Sequence, residues 1–164
     1  MEPPSSGRIG VINNSGKRLP TALIEKAASV ALSQRPDLQG PVSVLLATDE
    51  EIRDLNRKYR GVDEDTDVLT FPAIPLCAET QMAWPLGDIA ISVPYAGRQA
   101  EKRGVSLDVE LQFLTIHGVL HLLGWDDVED ADRQQMMAEM NRIGLLVGLP
   151  AEEEWSSVLH EEPA

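Results

Sequence analysis

The sequence predicts a single α+β (mixed α/β) domain, with a small, mostly parallel sheet of about four strands and about five helices. Three observations lead there. The chain has 164 residues, the size of one domain and enough to bury a core without disulfide staples. Short strand-like runs are interspersed with segments of helical periodicity, and the last helices are grouped together. The most apolar of these helical segments ends at Leu123, is greasy on most faces, and is therefore expected at the centre.

Taken in order, residues 9–12 form a short strand that stops at the Asn13-Asn14-Ser15-Gly16 turn. A helix begins near Pro20, with Leu23, Ala27, Val30 and Ala31 at helical spacing, and Pro36 and Gly40 close it. Residues 42–47 read as a buried strand. Thr48 opens the next helix, where Glu51 completes a capping box and Ile52, Leu55 and Tyr59 supply the apolar side. Residues 68–71 and 89–93 are two further strands. Between them PAIPLCAETQMAWP holds too much proline for regular structure and is expected to loop over the surface. A helical stretch surrounds residues 96–103. Ser106 caps the central helix, with Asp108 and Glu110 in its first turn, where the helix dipole favours negative charge. The last helix covers 128–146, with Met136, Met140 and Ile143 along one side. The domain is expected to span 1–150, followed by an acidic, flexible tail at 151–164.

Composition narrows the classes. Hydrophobic residues at 43% and charged ones at 25% are ordinary for a globular protein. Cys77 is the only cysteine, so no internal disulfide forms, which fits a reducing compartment. The opening MEPPSSGRIGVINNSG is polar and lacks a signal-peptide pattern, and the apolar run 111–125 is too short for a membrane span. A cytoplasmic protein without a membrane partner is expected. The formal net charge of -13 repels nucleic acid at long range. That charge is uneven, since acids gather at Glu152, Glu153, Glu154, Glu161 and Glu162 and around 63–67. Arg53, Arg57, Lys58 and Arg60 lie close together, as either a local basic face or a solvated helix face of mixed charge.

The chemistry concentrates in IHGVLHLLGWDD, residues 116–127. His117 and His121 stand four apart, so a helix presents both imidazoles on one face, one above the other. Gly124 can take the left-handed conformation that ends a helix, after which the chain can bring Asp127 to the same ion. Three ligands with open positions make a catalytic rather than a structural metal centre, and the helix is zincin-like in that respect. Zinc peptidases place a glutamate after the first histidine as general base, whereas this chain has Gly118. Two histidines and a carboxylate suit zinc, one ion per chain, and also iron(II), manganese or nickel. Asp126 is expected to point away, and His160, in the acidic tail, is a poor ligand candidate.

IHGVLHLLGWDD resembles the HGxLHLxGYDH signature of the YbeY family of bacterial endoribonucleases. Leu55-Asn56, Tyr59-Arg60, Asp63 and the run TDVLTFP at 66–72 are similar to that family's LNxxYRxxDxxTDVLSFP, and LGDIAIS at 86–92 to its LGDIxIS. Met136 and Glu139 fall where the family's last helix carries Met and Glu. The resemblance runs in order from about Asp49 to Ile143. It implies a metal-dependent, single-strand-specific endoribonuclease acting in ribosomal RNA maturation at the 16S 3′ end and in ribosome quality control. It also implies three metal ligands at His117, His121 and position 127, where the family has histidine and this chain Asp127. The carboxylate lowers the charge of the centre by one, so water should be less acidified there than at an all-histidine site. Arg60 matches the family's substrate-cleft arginine; a guanidinium can donate two parallel bonds to phosphate oxygens, although a structural salt bridge to Asp63 or Asp67 is the plain alternative. Asp88 either orients the site or shapes a turn, and Gly87 and Gly118 permit close backbone approach. Single-stranded ribosomal RNA, the small ribosomal subunit and an assembly GTPase are the implied partners. Two other readings stand beside this one: a ribosome-assembly binding factor with a weakened metal site, and a metallopeptidase or other small hydrolase.

Overall fold

Residues 9–38, 40–73, 86–151 and 155 are described by a computed structural model. β1 (Ile9–Asn13) leads into α1 (Thr21–Leu32), β2 (Val42–Ala47), α2 (Asp49–Arg60), β3 (Val68–Pro72) and β4 (Gly87–Ser92). Then come α3 (Val93–Arg103), α4 (Leu107–Leu122) and α5 (Asp130–Leu146). The strand order is β1-β2-β4-β3, with β1, β2 and β4 parallel and β3 antiparallel at the edge beside β4. This is the mixed α/β domain with a mostly parallel sheet that the sequence predicts.

The two-residue period of the strands divides the core. Val42, Val44 and Leu46 of β2 and Ile89 and Ile91 of β4 join the apolar cluster of α1 and α4. Leu45 and Ala47 of β2, Ala90 of β4 and Leu69 of β3 join Ile52 and Leu55 of α2 on the other face. α4 packs on β3 and β4 and is enclosed by α1, α3 and α5. That enclosure explains its composition: residues 110–120 are buried without interruption, so no stripe of the helix needs polar side chains.

Local chemistry sets most boundaries. Thr48 Oγ1 accepts from the Glu51 amide at 3.1 Å while Glu51 Oε1 accepts from the Thr48 amide at 3.2 Å, the reciprocal capping box of α2. The polar residues of the LNxxYR and TDVLTFP blocks build the link from α2 to β3. Asn56 Nδ2 donates to the Glu64 carbonyl at 2.9 Å, and the fully buried Asp67 Oδ1 accepts from the Val68 amide at 2.7 Å.

Several expectations are corrected. The strand expected over 89–93 ends at Ser92, whose Oγ accepts from the Tyr95 amide at 3.2 Å and caps α3, with Pro94 in the first turn. The last helix begins at Asp130 and not at 128, because Asp126 Oδ1 accepts from the Val128 amide at 3.2 Å and holds a turn there. Tyr59 is 59% exposed, resting only an edge on Phe71 with ring centroids 5.5 Å apart. On α1, Ile24 and Ala28 enter the core while Leu23 stays exposed. Pro72 ends β3; the remainder of the expected proline-rich loop, Cys77 included, lies mostly outside the described residues, as does most of the acidic tail. Trp155, within that tail segment, is described and is buried. Among the described residues no helix is long and apolar enough to cross a membrane.

Candidate metal centre

His117 and His121 lie one turn apart near the C-terminal end of α4, their rings nearly perpendicular with centroids 4.5 Å apart. The helix then stops in a Schellman turn. Gly124, at φ +101, donates its amide to the His121 carbonyl at 3.0 Å, and the Trp125 amide donates to the Leu120 carbonyl at 2.9 Å. A side chain at residue 124 would be strained at that φ. The reversal carries Asp127 back onto the histidine pair. His121 Nε2 stands 3.1 Å from His117 Nε2 and 3.0 Å from Asp127 Oδ2, and His117 Nε2 stands 3.6 Å from Asp127 Oδ2.

These spacings fit one ion. Donors about 2.1 Å from a tetrahedral zinc lie roughly 3.4 Å apart, inside the observed spread. The tautomer agrees. His121 Nδ1 is 3.1 Å from the Trp125 carbonyl, which can only accept, so Nδ1 carries the hydrogen and neutral His121 offers its Nε2 lone pair inward. That lone pair faces a carboxylate oxygen, and Asp127 is only 6% exposed. A cation between these electron-rich atoms would hold them this close, since a buried carboxylate without a compensating charge or donor costs several kcal/mol. Among the described residues, His117, His121 and Asp127 are the group of side chains able to share an ion. His117 is 5% exposed whereas the His121 side chain is 24% exposed, so the centre opens to solvent on the His121 side.

The surrounding residues sort clearly. Arg133 Nη1 donates to the carbonyls of Asp127 and Val128, each at 3.3 Å, and pins the ligand loop to α5. Asp126 is exposed and engaged with Val128. Asp88 lies on the α2 face of the sheet, away from the histidines, lining a groove of about 500 Å³ with Leu45, Tyr59 and Phe71. Arg60 is exposed at the end of α2, and its Nη2 donates to the Thr70 carbonyl of β3 at 3.2 Å. The salt bridge that Asp63 makes is to Arg53 at 2.8 Å, a hydrogen bond that holds the Asp63 carboxyl below its ordinary pKa; Arg57 stands 3.8 Å away. Arg57 pairs with Asp54 at 3.0 Å, so this helix face carries mixed charge rather than a basic patch. His160 lies outside the described residues.

Gly118 has a packing reason. A Cβ there would sit 2.9 Å from both Cδ1 and Cγ2 of Ile89, because α4 lies directly on β4. The glutamate that zinc peptidases carry at this position has no room. Gly118→Ala is expected to lower the unfolding free energy by about 1–3 kcal/mol, the usual cost of overpacking against a stiff β-branched neighbour. Urea unfolding measures it, and an unchanged midpoint would contradict the close approach.

Sequence reasoning missed Glu110 and Trp155. Glu110, read as an acid of the first turn, is 0% exposed; Trp155 Nε1 donates towards both its carboxylate oxygens at 3.2 Å. Nothing local signals a contact between residues so far apart in the chain.

A centre with three protein donors and an open side is the equipment of a metal-dependent hydrolase, not of a structural metal site. The model of the family described as Endoribonuclease YbeY matches residues 12–146. The chain is 41% identical over 131 residues to Endoribonuclease YbeY of Shouchella clausii (strain KSM-K16), covering 75% of this chain and 79% of that protein. It is 44% identical over 141 residues to Endoribonuclease YbeY of Desulfitobacterium hafniense (strain Y51), covering 77% and 87%. Its fold is similar to the solution structure of TM1509 from Thermotoga maritima, with TM-score 0.57 and 27% identity over 85% of this chain and 88% of that one. The chain belongs to the YbeY endoribonuclease family.

Proposed function

We propose that this chain is a zinc-dependent endoribonuclease specific for single-stranded RNA. It acts in the cytoplasm on ribosomal RNA, in maturation of the 16S 3′ end and in ribosome quality control. The observation that carries this reading is the convergence of the two Nε2 atoms and the Asp127 carboxylate within 3.0–3.6 Å of one another.

A divalent ion bound there supplies Lewis-acid polarisation of the phosphodiester and acidifies water. The residues do the rest. His117 and His121 hold the ion through Nε2, and the Trp125 carbonyl fixes the His121 tautomer that makes this possible. Asp127 offsets part of the ion's charge, and its hard oxygen leaves iron(II), manganese and nickel as alternatives to zinc. Arg60 has five N–H donors and spends one on Thr70, so its exposed guanidinium keeps donors for nonbridging phosphate oxygens. Arg60 is anchored on the Thr70 carbonyl of β3, the strand that α4 also contacts. A net charge of -13 makes unaided capture of RNA weak, which favours recruitment through the small ribosomal subunit and an assembly GTPase.

The test pairs metal analysis of the purified chain with cleavage of single-stranded RNA with and without chelator. Cleavage lost on chelation and restored by zinc is expected; cleavage indifferent to chelator contradicts the proposal. The same products separate the nucleophiles, since attack by the RNA's own 2′-hydroxyl must pass through a 2′,3′-cyclic phosphate and attack by water need not.

A further inference from the structure

We propose that Trp155 is a positioning residue for the metal centre, a wall that Glu110 anchors against the His117 ring. The proposal rests on the metal reading given above.

Glu110 and His117 are seven residues apart and therefore lie on one stripe of α4, two turns from each other. Trp155 spans that stripe. At one end Nε1 donates towards Glu110 Oε1 and Oε2, each at 3.2 Å. Along its length the indole stacks on Phe113, centroids 6.0 Å apart and planes at 29°. It then meets the His117 imidazole, centroids 5.3 Å apart and planes at 58°. Arg103 of α3 closes the group, with Nε 3.4 Å from Glu110 Oε1 and its guanidinium carbon 5.2 Å from the centre of the indole.

The chemistry explains why residue 155 is tryptophan and not merely apolar. Trp155 is 2% exposed, and a buried indole N–H needs an acceptor. Glu110 is a fully buried carboxylate, which needs donors and a cation, and here it has the indole and Arg103. Leucine would be apolar but smaller than the indole, and would lose a donor to Glu110. The consequence falls on His117. Rotation of an imidazole about its last torsion is broad and weakly restrained, so the ring is held by what packs against it. An indole fixed at its far end by Glu110 supplies that restraint and keeps water from one side of a metal ligand. Binding of the ion and seating of the Trp155 indole are then coupled, and each stabilises the other.

The test measures zinc affinity of the full chain by competition with a chromophoric chelator, alongside circular dichroism. Trp155→Ala is expected to weaken zinc by about 10- to 100-fold, the range typical of groups that orient a metal ligand. Trp155→Phe, which keeps a flat ring but loses the N–H that Glu110 holds, is expected to recover only part of that loss. A folded Trp155→Ala with wild-type zinc affinity overturns the inference. Should Trp155→Ala fail to fold, a variant with Trp84→Phe and Trp125→Phe leaves Trp155 as the only indole. Its emission must then change with the same midpoint as zinc binding, and a silent emission overturns the inference. A wild-type chain that takes up no zinc overturns the metal reading itself, which tells the two failures apart.

Discussion

Asp127→Ala is expected to abolish both the bound ion and RNA cleavage. The carboxylate is one of three donors and the only anionic one, and its oxygen stands 3.0 Å from His121 Nε2. Without it two imidazoles remain, a set too small to hold a labile divalent ion against dialysis. The loss of metal affinity should exceed the roughly 10- to 100-fold expected for a residue that only orients a ligand. Asp127→His is expected to retain or tighten the metal, because an imidazole is a competent third donor at the same turn. It also raises the charge of the centre by one and so should acidify water further. Metal content by mass spectrometry, with circular dichroism to show that the fold persists, decides the matter. Unchanged metal content in Asp127→Ala would show that the third ligand is another residue.

Arg60→Ala carries the second large effect. This variant is expected to keep its ion and its fold while losing cleavage by about 10²- to 10³-fold, the usual cost of removing a donor aimed at charge developing in the transition state. The stability cost should be small, since the guanidinium is exposed and one hydrogen bond, to the Thr70 carbonyl, is lost. Such a bond contributes about 0.5–1.5 kcal/mol. Arg60→Lys should recover little, because an ammonium cannot make the paired parallel bonds of a guanidinium to phosphate. The loss should fall on kcat more than on KM. Undiminished cleavage in Arg60→Ala would remove this residue from the mechanism and leave it a clamp between α2 and β3.

Much of this was legible locally because local chemistry decides it. The Thr48–Glu51 capping box, the i, i+4 histidine pair and the glycine turn are set by neighbours within a few residues. So the starts of α2 and α4 and the turn that returns Asp127 to the histidine pair could be read from their spelling. Where the reading strayed, a competing local bond won. Val93 reads as the last strand residue because 89–93 is mostly apolar, yet the Ser92 hydroxyl and Pro94 start a helix there. Residues 128–146 read as the last helix, but the Asp126 side chain fastens a turn that delays its start to Asp130. The antiparallel placement of β3 at the sheet edge left no mark in strand composition. Glu110 illustrates the deeper limit. A glutamate near a helix start is most simply a solvated partner of the dipole, and only the fold brings Arg103 and Trp155 to it. The resemblance blocks gained a structural meaning once folded: Asn56 and Asp67 serve the α2–β3 link, and Gly118 permits the close approach expected of it, here against Ile89.

The most direct test is X-ray absorption at the zinc edge on the zinc-loaded full chain. Two imidazole nitrogens and carboxylate oxygen at about 2.0–2.2 Å are predicted, with one ion per chain and no sulfur neighbour. A sulfur scatterer at about 2.3 Å, or a shell unchanged by Asp127→Ala, would contradict the centre described here.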